Sequence, residues 1–121
     1  MKILLIDDNQ EITKMLTTFL HIKGHECITT NDGKSGIKAL KNENFDAVLL
    51  DLAMREFSGY DVIDVLEKEK ELEKNKIIVF TASTISQTEL NNLVKRGVYS
   101  YLLKPSDLDD LIEKVEELVK S

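Results

Sequence analysis

Short apolar runs alternate along this chain with longer segments in which apolar residues recur at helical spacing. Continuous runs rich in Ile, Leu and Val are typical of strands that are buried on both faces of a sheet. The pattern predicts strands at residues 2–6, 25–30, 47–50, 77–80 and 98–103. The second of these is the most polar, which indicates a strand at the edge of the sheet.

A helical pattern follows each predicted strand, and most of these segments begin with a side chain that can cap the first turn. The predicted caps are Asp8, Ser58, Ser86 and Ser106, and the predicted helix ends are Gly24 and Gly97. Between residues 67 and 76 nearly every side chain is charged. That charge predicts a solvated helix end and loop.

The alternation of strands and helices predicts an α/β fold of the (βα)5 type, a doubly wound, five-stranded parallel sheet with helices on both faces. Parallel neighbours need crossover connections, and right-handed crossovers return each helix to the sheet. A chain of 121 residues can bury a substantial core as one unit. We therefore expect a single domain over residues 1–121.

Polar side chains follow four of the predicted strands at their carboxyl ends. Asp7 and Asp8 follow the first strand, Asp51 the third, Thr81 the fourth and Lys104 the fifth. Parallel strands end at the same edge of a sheet, and open α/β sheets bind their ligands at that edge. We therefore expect these side chains to share one crevice.

Carboxylates gathered in one crevice repel one another unless a cation lies among them. Mg²⁺ prefers carboxylate, carbonyl and water oxygens, often together with a phosphate oxygen. The Lys104 ammonium and the Thr81 hydroxyl would complement a phosphoryl group. The set predicts phosphoryl transfer to a carboxylate, with Asp51 as the nucleophile that forms an acyl phosphate.

The order and spacing of these residues resemble the receiver domain of two-component response regulators. The matching motifs are Asp7-Asp8, Asp51-Leu52-Ala53-Met54, Gly59, Thr81-Ala82, Tyr101 and Lys104-Pro105. Each motif alone is weak, but together, in this order at strand ends, they extend over essentially the whole chain. The resemblance implies a flavodoxin-like sheet with the strand order 2-1-3-4-5.

The same resemblance implies roles for the site residues. Asp51 would take a phosphoryl group from a phosphohistidine of a sensor histidine kinase or a phosphotransfer protein. Asp8, Asp51 and the backbone carbonyl of Ala53 would bind Mg²⁺, with Mn²⁺ as an alternative ion and Asp7 acting through water. The implied phosphoryl-binding residues are Ala53, Thr81, Ala82 and Lys104.

The family function is a switch, whose only chemistry would be Mg²⁺-dependent self-phosphorylation from phosphodonors and self-dephosphorylation. Thr81 would move towards the phosphoryl group and Tyr101 would turn inward. These movements would change the surface formed by the fourth helix, fifth strand and fifth helix, to which a downstream effector protein binds. The bond between Lys104 and Pro105 is expected to be cis, as in the family.

Two other functions stay open beside this one. Arg55 stands where the family usually has proline, and it adds a positive charge that hints at a phosphorylation-independent interaction scaffold with the receiver fold. A hydrolase with an aspartyl nucleophile is the other alternative. It usually carries a second acid two positions after the nucleophile, where this chain has Ala53.

Composition and charge exclude several classes of partner and location. The formal net charge of −6 and the pI near 4.9 argue against direct binding to nucleic acid. No apolar run approaches the ~18 residues of a membrane span. The single cysteine cannot form an intramolecular disulfide, and an apolar leader is absent, so we expect a cytoplasmic protein. We also expect a stand-alone receiver, monomeric or dimeric on phosphorylation, whose output is a partner protein.

Overall fold

The predicted strands pair into one parallel sheet in the computed structural model, which describes residues 1–82, 84–104 and 108–120. The strands are β1 (Lys2–Ile6), β2 (Glu26–Thr30), β3 (Ala47–Leu50), β4 (Ile77–Ala82) and β5 (Ser100–Lys104). The helices are α1 (Gln10–Ile22), α2 (Gly33–Asn42), α3 (Gly59–Lys68), α4 (Gln87–Arg96) and α5 (Leu108–Lys120). The order in the sheet is β2-β1-β3-β4-β5, which confirms the expected (βα)5, flavodoxin-like fold.

Helices cover both faces of the sheet and create two apolar cores. On one face, Leu16 of α1 and Leu111 of α5 pack in a cluster with Ile3. On the other face, Ile63 of α3 packs in a cluster with Leu4, and residues of α2 and α4 belong to the same cluster. Because successive strand residues point to opposite faces, a strand covered on both sides is apolar at every position. This explains the continuous apolar runs.

The first helix begins one residue later than predicted. The cap of α1 is Asn9, whose side-chain oxygen accepts hydrogen bonds from the amides of Glu11 at 3.1 Å and Ile12 at 3.2 Å. The prediction of Asp8 as the cap was therefore wrong. An amide oxygen satisfies the helix start, which leaves the carboxylate of Asp8 free to point towards the loop after β3.

Other predicted helix boundaries are confirmed. Ser58 and Asp61 form a reciprocal capping box at the start of α3, and the Ser86 hydroxyl accepts a hydrogen bond from the Glu89 amide at the start of α4. Gly97 ends α4 with φ of 133°, a backbone angle that favours glycine. The predicted cap Ser106 and the predicted cis bond of Lys104-Pro105 lie outside the described residues.

The charged stretch and the fifth strand differ from expectation. Leu72, within the charged stretch, is only 2% exposed and packs in the same core cluster as Leu93 and Val98. This stretch is therefore anchored to the core at one point and is not solvated throughout. Val98 is also buried but precedes β5, which starts at Ser100 and includes Lys104 as its last residue.

Among the described helices, none combines the length and apolar character that crossing a bilayer requires.

Candidate functional site

Two adjacent strands bring the acidic residues together. β1 and β3 are neighbours, with Ile6 paired to Leu50, so the residues that follow them, Asp7 and Asp51, emerge side by side. The amide of Asp51 donates a hydrogen bond to the carbonyl of Ile6 at 3.0 Å, which continues the ladder to the acidic residue. One carboxylate oxygen from each of Asp7, Asp8 and Asp51 lies within 4.8 Å of the other two. The structure thus assembles the trio that the sequence placed at strand ends.

Asp7 is the most constrained member of the trio. It is 5% exposed, and its Oδ1 accepts a hydrogen bond from the amide of Asn9 at 2.9 Å. Its Oδ2 accepts one from Nζ of Lys104 at 2.8 Å. Its main-chain carbonyl accepts another from the side chain of Asn31. These contacts hold Asp7 as a fixed carboxylate at the floor of the crevice.

Lys104 brings a positive charge to the trio from the far end of the chain. Its Nζ lies 3.8 Å from Oδ1 of Asp51, farther than from Asp7, and 5.0 Å from the centre of the Phe80 ring. The side chain is only 19% exposed, so solvent screens the ion pairs weakly. Lys104 therefore faces the trio, as predicted, and its closest partner is Asp7.

Burial and the neighbouring carboxylates raise the pKa of Asp51. Loss of solvent is the largest cause, and the negative charge of Asp7 adds to it. Lys104 and the amide of Ala53, which donates to Oδ1 of Asp51 at 3.3 Å, act in the opposite direction. The net effect is a carboxylate that is costly to ionise without a further cation.

The donor set fits a hard divalent cation. Three carboxylates face the ammonium group of Lys104 and the exposed guanidinium group of Arg55, which leaves an excess of negative charge among oxygen ligands. Mg²⁺ binds through one or two carboxylates with carbonyl oxygens and retained waters. Asp7, Asp8 and Asp51 can therefore hold such an ion, and it would reverse the unfavourable charge balance that raises the pKa of Asp51.

The loop after β3 contacts the acids through its main chain. The amide of Arg55 donates a hydrogen bond to Oδ2 of Asp8 at 3.1 Å. At the end of this loop, a Cβ on Gly59 would overlap the carbonyl oxygen of Asp51 and lie 2.6 Å from Cα of Leu52. Only a glycine permits this approach of α3 to the backbone of Asp51 and Leu52, which gives a physical reason for Gly59 in the motif.

Thr81 lies near the end of β4 and is 4% exposed. It lines a surface cavity of about 260 Å³ together with Ala53, Tyr60 and Glu89. Ala82 follows Thr81 on the exposed end of the strand and pairs with Lys104 in the sheet. Ala53 and Thr81 thus line one cavity and Ala82 lies beside Lys104, and the contacts of these residues with a phosphoryl group stay predictions.

Tyr101 lies apart from the acids. Its ring packs against the core, and its hydroxyl accepts a hydrogen bond from Nε2 of Gln87 at 2.8 Å. This contact ties β5 to the first turn of α4. The part of Tyr101 in a switch stays a prediction.

Sequence reasoning missed a second contact of the same turn. The hydroxyl of Tyr60, at the start of α3, donates to Oε2 of Glu89 at 2.9 Å across 29 residues of sequence. Partial burial and the adjacent Glu89 carboxylate raise the pKa of Tyr60. An aromatic residue beside the Gly59 motif was a visible signal, but its partner could not be identified without the packing of α3 and α4.

Similarity to known proteins agrees with this geometry. The family model for the response regulator receiver domain matches residues 3–116. The probable transcriptional regulator ycf27 of Porphyridium aerugineum is 32% identical over 119 residues, which cover 98% of this chain and 48% of that protein. The chain spans about half, or less, of the length of the curated relatives it matches.

Two solved structures share the fold over nearly the full chain. The receiver domain of Francisella response regulator 1452 is 27% identical, with a TM-score of 0.86, over 98% of this chain and 96% of that one. Response regulator TrrA of Thermotoga maritima, solved with Mg²⁺ and BeF, is 32% identical, with a TM-score of 0.79, over 97% of both chains. The chain therefore belongs to the response regulator receiver domain family, the phosphoacceptor domains of two-component signalling.

Proposed function

We propose that Asp51 is the phosphoacceptor of this receiver domain and that a sensor histidine kinase or a phosphotransfer protein is the donor. The observation that carries the proposal is the position of Asp51 at a strand end, with carboxylates on one side and Lys104 3.8 Å from its Oδ1. An isolated carboxylate at the edge of the core would destabilise the fold, because burying an unpaired charge costs free energy. Among acids and a cation, it is a nucleophile with charge stabilisation nearby.

The transfer step follows from these groups. A carboxylate oxygen of Asp51 attacks phosphorus, and the new P–O bond forms as the P–N bond to the donor imidazole breaks. The imidazole leaves with the electron pair of that bond and takes a proton from solvent. Lys104 supplies positive charge next to the oxygens on which negative charge is concentrated. In self-dephosphorylation, water attacks the phosphorus, the P–O bond to Asp51 breaks, and inorganic phosphate and a proton leave while the carboxylate is restored.

The metal requirement belongs to the same proposal. Asp8, Asp51 and the backbone carbonyl of Ala53 would bind Mg²⁺ or Mn²⁺, and Asp7 would act through water. When bound, the ion supplies charge neutralisation for the phosphoryl oxygens. Asp7 in turn holds Lys104 at 2.8 Å, which keeps the ammonium oriented towards the crevice.

The switch proposal concerns the far side of the crevice. Thr81, Ala53 and Ala82 would contact the transferred group, and Thr81 and Tyr101 would change position together. Because Tyr101 is bonded to Gln87, any inward rotation of its ring would release the first turn of α4. The surface of α4, β5 and α5 would then bind a cytoplasmic effector protein, or a second copy of the chain on phosphorylation.

The test is labelling by acetyl phosphate, followed by intact-mass measurement. Wild-type protein should gain one phosphoryl group only when Mg²⁺ is present, and Asp51→Asn should gain none. Glu113→Gln, which removes an exposed acid on α5, is the control and should be labelled like the wild type. Labelling of Asp51→Asn at unchanged stoichiometry would refute the assignment.

A phosphoryl mimic tests the alternative of a phosphorylation-independent scaffold. Family membership and the intact acid trio both favour the switch. Beryllofluoride mimics the acyl phosphate, so it should shift amide resonances of α4 and β5 in the wild type. A scaffold would bind its partner equally well with and without beryllofluoride.

A further inference from the structure

Arg55 makes two contacts with one oxygen of the acid trio. Its amide donates a hydrogen bond to Oδ2 of Asp8 at 3.1 Å, and its Nε lies 3.8 Å from the same oxygen. The residue is in the loop between β3 and α3, and its side chain is 94% exposed. The main chain therefore fixes where residue 55 lies, and the guanidinium group adds charge at the mouth of the crevice.

The amide contact depends on the residue type at this position. Proline has no backbone N–H and could not donate this hydrogen bond. An ordinary residue can, and in this chain the donor also carries a permanent positive charge. Asp8 is thus bound on the side of the loop after β3, whereas Asp7 is bound by Lys104 on the side of β5.

Within the described part of the chain, Lys104 and Arg55 are the basic side chains in ion-pair contact with the trio. Lys104 contacts Asp7 and Asp51 from the end of β5, and Arg55 contacts Asp8 from the loop after β3. A divalent cation that binds Oδ2 of Asp8 has to share that oxygen with the two contacts of Arg55. It must also approach a guanidinium group of like charge.

We propose that Arg55 competes with the divalent cation for Asp8 and thereby sets the metal affinity of the site. The inference rests on the proposed function, since it takes the acid trio as the metal site. Arg55 is here a positioning residue, which acts through Asp8. Its charge makes metal binding weaker and less dependent on salt than the acids alone would give.

The solvent exposure of Arg55 determines how strongly its charge can affect the affinity for Mg²⁺. A guanidinium that is 94% exposed interacts through water, so its repulsion of the ion is modest and screened. From Coulomb's law with the dielectric constant of water, we expect removal of the Arg55 charge to lower the Kd for Mg²⁺ roughly threefold at about 0.1 M ionic strength. The decrease should be larger at lower salt.

The experiment is calorimetric titration of the unphosphorylated protein with MgCl₂ at two ionic strengths. Arg55→Gln keeps the backbone amide and removes the charge, Arg55→Lys keeps both, and Lys68→Gln removes a charge at the opposite end of α3. Arg55→Gln should bind Mg²⁺ roughly threefold more tightly than wild type at about 0.1 M salt, with a gain that grows as salt falls. Arg55→Lys and Lys68→Gln should stay close to the wild type.

Thermal unfolding tests the same competition independently of the heat of binding. Addition of Mg²⁺ should raise the thermal midpoint of Arg55→Gln more than that of the wild type, because tighter binding to the folded state stabilises it more. The inference is overturned if the Kd of Arg55→Gln for Mg²⁺ is equal to or larger than that of the wild type. It is also overturned if Arg55→Lys or Lys68→Gln binds Mg²⁺ as tightly as Arg55→Gln does. Absence of Mg²⁺ binding in the wild type overturns the proposed metal site as well, so the two failures are distinct.

Discussion

Nζ of Lys104 lies 2.8 Å from Oδ2 of Asp7, a residue 97 positions earlier in the chain, and only its second-nearest carboxylate is Asp51, at 3.8 Å. The ammonium group is thus bound to an accessory acid and stands next to the proposed acceptor. Because both side chains are largely buried, removal of either partner would leave the other as an uncompensated charge.

Lys104→Gln should lower the free energy of unfolding by about 1–3 kcal/mol, because Asp7 would stay buried without its cation. Urea denaturation of metal-free protein measures the loss. Asp7→Asn in the same background removes the stranded charge, so the double variant should lose less than the sum of the two single losses. Strictly additive losses would show that the pair is not coupled.

Asp51→Asn should stabilise the metal-free protein at neutral pH, by ~2–5 °C in thermal midpoint. Burial and Asp7 raise the pKa of Asp51 in the folded state, so the folded wild type binds a proton more readily than the unfolded chain. Wild-type stability therefore increases as pH falls through the raised pKa towards the ordinary value of 3.8. The advantage of Asp51→Asn is full above the raised pKa and shrinks below it.

Mg²⁺ should reverse that ranking at neutral pH. The ion stabilises the folded wild type by linkage, and Asp51→Asn lacks one of the proposed ligands. Calorimetric scans with and without MgCl₂ provide the comparison, with Glu113→Gln as the control. If Asp51→Asn gained as much from Mg²⁺ as the wild type, Asp51 would not be a ligand.

Gly59→Ala should destabilise the protein by about 1–3 kcal/mol and weaken Mg²⁺ binding. The new Cβ would overlap the backbone of Asp51 and Leu52, so the start of α3 would have to move away from Asp51. Gly36→Ala is the matched comparison, because the three atoms nearest to its Cβ all belong to the side chain of Ile6. That variant should lose stability in urea with little change in the Kd for Mg²⁺. Equal Kd changes in both variants would contradict a specific role for Gly59.

Tyr60→Phe should loosen the first turn of α4. The hydroxyl of Tyr60 links α3 to Glu89. A hydrogen bond to a charged but exposed partner contributes only modestly to the stability of the turn. We expect amide hydrogen exchange in this turn to become about twofold to tenfold faster. Tyr99→Phe, which removes a bond to the carbonyl of Leu118 instead, should leave the turn unchanged. Equal acceleration in both variants would point to a general loss of stability.

The fold was predictable because its signals are local. Continuous apolar runs such as that of β3 identify strands covered on both faces, and helical spacing with a cap and a terminal glycine identifies helices such as α4. The strand order came from a family resemblance, since periodicity does not encode which strands are neighbours. The cap of α1 was misplaced because Asp8 and Asn9 are both good cap residues, and a tertiary contact with Arg55 decides between them.

The sequence by itself determined which chemical groups stand at the strand ends, because alternation and capping depend on residues within about four positions of one another. Only the tertiary structure decided which hydrogen-bond donor faces which acid: Lys104 binds Asp7, Arg55 binds Asp8, and Tyr60 binds Glu89. These pairs join residues far apart in sequence. Their geometry depends on how helices and loops pack over the sheet, a property of the whole core that no local pattern specifies.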